Sequence, residues 1–308
     1  MEKVQSFYFP SSDGRHRCYA QEWLPQGQPR AVVQIVHGIA EHIGRYDQVA
    51  RFLSARGILV CGEDHLGHGK TAQPEEYGYF APHDGWTLVT ADVRELRRLQ
   101  GEKYPGVPCF LLGHSMGSFL ARTFLCRYPG QVDGAVLSGT GQEPPALVAF
   151  GKALAGLLCT LQGDNKVNPL INKFSLGAYN DKFKPTRTSA DWISRDEDAV
   201  DAYLADPMCS FKPTNSLFRD MMGGLQYIAS PRALAQMDPN TPVYIFSGEQ
   251  DPVGSMGAGV KKVHGFFQNQ GTKDLTMKLY PGGRHEMFNE INRQEVYADL
   301  LAWLEQHI

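Results

Sequence analysis

The 308-residue sequence contains no pair of cysteines in CxxC spacing, which leaves neither a zinc nor a thiol-redox motif to read. Its six cysteines, Cys18, Cys61, Cys109, Cys126, Cys159 and Cys209, are expected as buried free thiols of a reducing compartment. The segment from Met1 to Arg17 has no apolar stretch of the roughly 7–15 residues that a secretory signal needs, so a cytoplasmic protein is expected. No uncharged apolar run reaches about 18 residues, and a spanning helix is not expected. Ala146 to Leu161, with Lys152 as its only charge, comes nearest. Nor is there an excess of either charge. Thirty basic against 33 acidic side chains give a net charge of -3, which offers no field to hold a phosphate backbone, and no nucleic-acid partner is expected. Internal repeats and low-complexity tracts are lacking too, which removes solenoids and propellers.

What remains is an ordinary globular composition arranged in alternating short blocks. Apolar runs at Ala31 to Val36, Ile58 to Gly62, Pro108 to Leu112, Gly134 to Ser138, Pro242 to Ser247 and Leu275 to Tyr280 have the length of strands buried on both faces. Between them lie patterns of helical period, such as Tyr46 to Arg56 and Leu88 to Tyr104. Strand and helix in alternation predict an α/β fold, a mostly parallel central sheet flanked by helices. From about Gly141 to Arg232 the alternation stops, and helical pieces are separated by loops with no convincing strand. This stretch is read as an inserted helical cap, residues 141–232, on a core made of residues 1–140 and 233–308.

Gly113-His114-Ser115-Met116-Gly117 matches Gly-x-Ser-x-Gly. The bare pattern is weak, but here it stands between a strand and a helix, where a sharp turn lifts a serine hydroxyl above the sheet. A serine hydroxyl needs a general base, and the base needs an orienting carboxylate. On such a fold the chain order is serine, acid, histidine, each partner following a late strand. His285, between the last strand and a closing helix from about Ile291 to His307, fits the base; His264 and His307 lie on helical stretches. Asp251, after the run Pro242 to Ser247 and before Pro252, fits the acid. Glu249 is its rival, and Asp274 precedes a strand instead of following one. The oxyanion of an acyl-transfer intermediate needs two backbone donors. The N–H of Met116 and, from the early loop His37-Gly38-Ile39-Ala40-Glu41, the N–H of Ile39 are expected to supply them. Gly38 keeps that loop slim, and His37 is read as fixing it by a hydrogen bond.

Two other patterns lead nowhere. Gly67-His68-Gly69-Lys70-Thr71 resembles the end of a phosphate-binding loop, yet Asp64 stands where the pattern requires glycine. His65 and His68 beside Asp64 lack the spacing of a metal site and read as a structural turn. No cofactor or metal is called for, because nucleophile, base and oxyanion donors all come from the chain.

The blocks His37 to Tyr46, Asp64 to Gly69, Gly113 to Gly117, Asp251 to Val253 and Gly283 to Glu286 together resemble the α/β-hydrolase superfamily. Within it they are similar to the monoacylglycerol lipase and lysophospholipase group, which shares sequence features with some serine aminopeptidases. That resemblance implies the triad Ser115, Asp251 and His285, with Ile39 and Met116 as oxyanion donors. Ser118 stands where the lipases often carry a second glycine, and Ile39 is bulkier than the residue found there in animal monoacylglycerol lipases. The cap segment Asp191-Trp192-Ile193-Ser194-Arg195-Asp196 is similar to the caps of bacterial members. Glu41 and Arg45 match positions near the entrance of the family's active site, where they serve either as an ion pair bracing the oxyanion loop or as substrate contacts.

The expected activity is carboxylester hydrolysis through an acyl-enzyme, on small esters or single-chain lipids such as monoacylglycerols or lysophospholipids. The stretch from Ala146 to Leu161 either packs on the core or forms an acyl-pocket wall or a lid in transient contact with a membrane surface. A serine exopeptidase, with Asp191, Asp196, Glu197, Asp198 and Asp201 holding a substrate amine, is the rival enzyme. A non-catalytic binding member of the fold is the rival from another class. Dehalogenase and epoxide-hydrolase chemistry needs a carboxylate where Ser115 stands.

Overall fold

All six apolar runs form strands. In the computed structural model, which describes residues 3–174 and 176–308, they are preceded by a hairpin of β1 (Lys3–Pro10) and β2 (Arg17–Leu24). The runs themselves are β3 (Ala31–Val36), β4 (Ile58–Glu63), β5 (Cys109–His114), β6 (Gly134–Ser138), β7 (Val243–Gly248) and β8 (Leu275–Tyr280). They make one eight-stranded sheet in the order β1-β2-β4-β3-β5-β6-β7-β8. Strands β3 to β8 run parallel, while β1 and β2 are antiparallel additions at one edge. The hairpin escapes a search for continuous apolar runs because KVQSFYFP and RCYAQEWL mix polar with apolar residues, as an edge of the sheet allows.

Successive strand residues point to opposite faces, and each face has its own core. Phe110, Leu112, Val136, Tyr244 and Phe246 meet α1 (Asp47–Ser54) and α11 (Arg293–Glu305) through Val49, Leu53, Tyr297 and Trp303. Leu111, Ala135, Leu137, Val243 and Ile245 meet α2 (Gly85–Lys103), α3 (Met116–Arg127) and α10 (Ala258–Asn269) through Val89, Val93, Leu120, Phe124 and Val263. A sheet covered on both sides leaves the carboxyl ends of its strands as the place for a site.

Among the described residues between β6 and β7 the chain is helical, as the inserted cap requires: α4 (Pro145–Gln162), α5 (Pro169–Phe174), α6 (Leu176–Tyr179), α7 (Glu197–Ala205), α8 (Asn215–Ile228) and α9 (Pro231–Leu234). Helix α4 runs along α8, burying Val148 and Ala155. Leu147, Phe150, Leu157 and Leu161 are left exposed, at 53, 65, 55 and 70%. Core packing therefore does not account for this stretch. By length and composition α4 is also apolar enough to cross a membrane, with a mean hydropathy of 1.4, because its single charge, Lys152, interrupts an otherwise apolar helix.

The N-terminal hairpin is tied to the sheet's helical cover by Asp92 of α2. Its carboxylate accepts from Ser11 Oγ at 2.7 Å and from the N–H of Ser12 at 2.6 Å. Asp92→Ala leaves these donors without their acceptor at a buried position, and the expected loss of unfolding free energy is about 1–3 kcal/mol. Urea denaturation measures it, and ester hydrolysis by the folded variant should be unchanged.

Candidate active site

Between the last residue of β5 and the first of α3, Ser115 has φ 54 and ψ -123. Such a conformation costs a non-glycine residue about 1–3 kcal/mol and persists only where surrounding packing dictates it. Here the dictation comes from two glycines. A Cβ on Gly117 would lie 1.9 Å from the carbonyl oxygen of Val36, and one on Gly113 would lie 2.4 Å from that of Gly117. The helix start thus approaches the end of β3 more closely than any side chain would permit. The N–H of Ser115 donates to Ser138 O at 2.9 Å, and its carbonyl accepts from Ser118 Oγ at 2.6 Å. Ser118 therefore does not crowd the turn; its hydroxyl folds back to brace it.

Asp251 follows β7 and is fully buried. Its Oδ2 accepts from Ser247 Oγ at 2.6 Å, and its Oδ1 accepts from the N–H of Val253 at 2.9 Å and pairs with His285 Nδ1 at 2.9 Å. Burial alone would raise the Asp251 pKa, but the His285 charge and these hydrogen bonds hold it below the usual aspartate range. Burial alone would lower the His285 pKa, and Asp251, with Glu286 and Glu41 behind it, raises it instead. The His285 ring lies 4.7 Å from that of His114, the residue before Ser115. Burial and the neighbouring His285 push His114 down to about 3, so it is neutral. Ser115, Asp251 and His285 thus each follow the carboxyl end of a parallel strand of one sheet, β5, β7 and β8, and the last two are paired. Of their rivals, Glu249 is exposed, and Asp274, at the start of β8, meets His307 at 3.1 Å at the other end of that strand. His264 lies within α10.

The loop after β3 reaches Ser115 as well: a Cβ on Gly38 would stand 3.0 Å from Ser115 Cβ. Among the described residues, no acceptor is found for the N–H of Ile39 or of Met116. The second of these is an orphan donor of the first turn of α3. His37 fixes the loop by its ring, Nδ1 donating to Gly38 O at 2.8 Å and Nε2 accepting from the N–H of His65 at 3.1 Å. Asp64 accepts from the N–H of Ile43 at 2.8 Å and of Lys70 at 2.7 Å, so the histidine-rich turn is held as structure.

Behind the loop lies a buried charge network. Glu41 Oε1 accepts from the N–H of Gly38 at 2.6 Å and from Tyr46 Oη at 2.9 Å, and Glu41 Oε2 meets Arg45 at 2.9 Å. Arg45 also forks onto both oxygens of Glu286, at 2.6 and 2.7 Å. Glu41 and Arg45 therefore brace the loop after β3, and through Glu286 they join it to the loop of His285. Sequence reasoning left Glu286 without a partner, since nothing in the spacing of residues 45 and 286 marks them as neighbours.

For the cap segment 191–196 sequence reasoning offered family likeness and, in the peptidase alternative, an amine-holding role for Asp191 and Asp196, but no contact with the loop of His285. That segment is fastened to the His285 loop. The N–H of Glu286 donates to Ile193 O at 2.7 Å, Ser194 Oγ to Asn289 O at 2.9 Å, Arg284 to the carbonyls of Asp191 and Ser194, and Arg195 Nε to Glu290 at 2.9 Å. Trp192 is thereby held with its ring 5.0 Å from that of His285.

Burial would raise the Glu286 pKa, but Arg45 and its paired hydrogen bonds bring it down to about 2, from an ordinary value of 4.5. A carboxyl depressed in the folded state stabilises that state above its unfolded pKa and loses the contribution as pH falls through the folded one. Stability should fall between about pH 4.5 and 2 in part because of this group, and urea unfolding of Glu286→Gln over that range should show a shallower decline.

With this geometry in hand, known proteins can be set beside the chain. A family model described as serine aminopeptidase S33 matches residues 27–292. A monoacylglycerol lipase of Mycolicibacterium smegmatis is 31% identical, covering 96% of this chain and 95% of its own length. The monoglyceride lipase of Homo sapiens is 27% identical, covering 96% and 89%. Among solved structures, a thermostable carboxyl esterase from Bacillus coagulans, in complex with glycerol, superposes with a TM-score of 0.92 at 28% identity, covering 99% of this chain and 98% of that one.

Proposed function

We propose that this chain, which belongs to the serine aminopeptidase S33 family of α/β-hydrolases and is an ester hydrolase, works through a Ser115–His285–Asp251 triad on monoacylglycerols or lysophospholipids. The observation that supports the triad is the buried Asp251–His285 pair at 2.9 Å, together with a serine held at φ 54 where β5 ends two strands away from Asp251. In this mechanism Ser115 Oγ attacks the ester carbonyl while His285 Nε2 takes its proton. Asp251, on Nδ1, keeps the tautomer that leaves Nε2 free and stabilises the imidazolium. The N–H groups of Ile39 and Met116 receive the oxyanion. The imidazolium then protonates the departing alcohol, leaving an acyl-Ser115 that a water, deprotonated by His285, hydrolyses.

Homologues named monoacylglycerol lipase support the substrate class. The peptidase alternative gains little from the cap carboxylates. Asp191 accepts from Thr188, Asp196 caps α7 and meets Arg293, and Asp201 pairs with Arg187. Glu197 and Asp198 stand in the first turn of α7, where acidic groups favour the helix. The exposed apolar stripe of α4, in a cap we bound at residues 141–232, is proposed to touch a lipid surface transiently while the protein is otherwise cytoplasmic. Free cysteines, five of the six buried, fit that compartment.

Ser115→Ala should lower kcat by at least about 10³-fold and abolish labelling by a fluorophosphonate, and Asp251→Asn should lower it by roughly 10⁴-fold. Near-normal turnover in either variant would end the assignment. Phe150→Ser with Leu161→Ser should slow hydrolysis of monoacylglycerol in phospholipid vesicles severalfold and leave hydrolysis of a soluble short-chain ester unchanged.

A further inference from the structure

Two aromatic rings lie next to that of His285: His114, 4.7 Å away and tilted 44°, and Trp192 of the cap, 5.0 Å away and tilted 34°. Trp192 is 7% exposed and leans in turn on Tyr179, with ring centroids 5.0 Å apart. An indole presents a negative face, and a cation within about 6 Å of the ring centroid is stabilised by it, more so where water is excluded. The imidazole is such a cation in the free enzyme at pH below its pKa and, during turnover, whenever it holds the proton taken from Ser115 or from the hydrolytic water.

We propose that Trp192 stabilises the imidazolium form of His285 through the face of its indole, so that the cap segment 191–196 acts through the base as well as covering it. The inference rests on the triad proposed above. Its force comes from the attachment of that segment. The same turn that carries His285 donates to Ile193 O through the N–H of Glu286 at 2.7 Å, and Arg284 holds the carbonyls on both sides of residues 192 and 193. Buried Glu290 accepts from the N–H of Arg284 at 2.9 Å and from that of Arg195 at 3.1 Å, and so clasps both segments. The indole and the imidazole are therefore fastened to each other through hydrogen bonds that involve no residue of α4. His114, being neutral, adds no opposing charge beside the base.

Among the described residues, the charged and titratable groups that act on His285 are Asp251 from the turn after β7, Glu286 from its own loop, Glu41 from the loop after β3 and His114 from β5, with Arg45 paired to the two glutamates and Tyr179 of the cap against Trp192. Trp192 substitutions leave all of them in place. Stabilising the cation raises the pH at which the base loses its proton, so removing the ring should move the acid limb of kcat/KM to lower pH.

With a soluble short-chain nitrophenyl ester, and active sites counted by fluorophosphonate titration, Trp192→Leu should shift that limb down by about half to one pH unit. It should also lower kcat on the plateau by roughly three- to thirtyfold, while Trp192→Phe should retain most of both. If Trp192→Leu does not fold, replacing Trp192 with mono- and then difluorotryptophan keeps the size of the ring while weakening its negative face, and the limb should descend in step. An unmoved limb in Trp192→Leu, or in the fluorinated series, overturns the inference and leaves the indole as a wall. Wild-type protein that is not labelled, or Ser115→Ala that still turns over, overturns the triad itself.

Discussion

Where β5 turns into α3, the carbonyl oxygen of Val36 occupies the space that a side chain at position 117 would need. Only because that approach is so close can Ser115 be kept at φ 54 with its hydroxyl above the sheet edge. The strain is small beside the packing that imposes it, since β3 and β5 are buried along their whole length and α3 is buried on nearly every residue. The other groups of the proposed site arrive at positions defined by that turn. The loop after β3 passes over it, Asp251 leaves β7 two strands away, and His285 follows β8.

A buried network then joins two of these loops. Arg45, held between Glu41 and Glu286, places one guanidinium opposite two carboxylates that burial alone would neutralise. An assembly of this kind is weak evidence for stability, because desolvation offsets much of its attraction. What it does supply is geometry: Glu41 holds the N–H of Gly38, and Glu286 is the neighbour of His285. The loop after β3, proposed to hold the oxyanion, and the loop of the proposed base cannot shift independently without leaving a charge unpaired.

The cap has two characters. Residues 191–196 are clasped to the His285 loop by hydrogen bonds and ion pairs and belong mechanically to the core. Helix α4 holds to α8 by a narrow face and turns a second apolar stripe outward. This difference fits the proposed division of labour, with the clasped part beside the proposed base and the apolar part turned to the proposed lipid surface.

The parallel sheet, the interrupted alternation, the serine turn and the two late loops were legible in the sequence. Each is written in local signals: continuous apolar runs such as Ala31 to Val36, glycines flanking Ser115, and short polar turns after Ser247 and Tyr280. The hairpin of β1 and β2 was not, because β1 is an edge strand that needs no apolar run and β2, though mostly buried, breaks its own run with Gln21 and Glu22. Neither the fork of Arg45 onto Glu286 nor the indole over His285 leaves any mark in spacing or period. Those pairings join residues remote in the chain, and their physical cause is the path of the backbone around the sheet, so only the tertiary structure could decide them. By itself the sequence determined which groups could do chemistry at the sheet edge; the folded chain decided which charges and rings surround them, because burial and distance come into being only when the layers close.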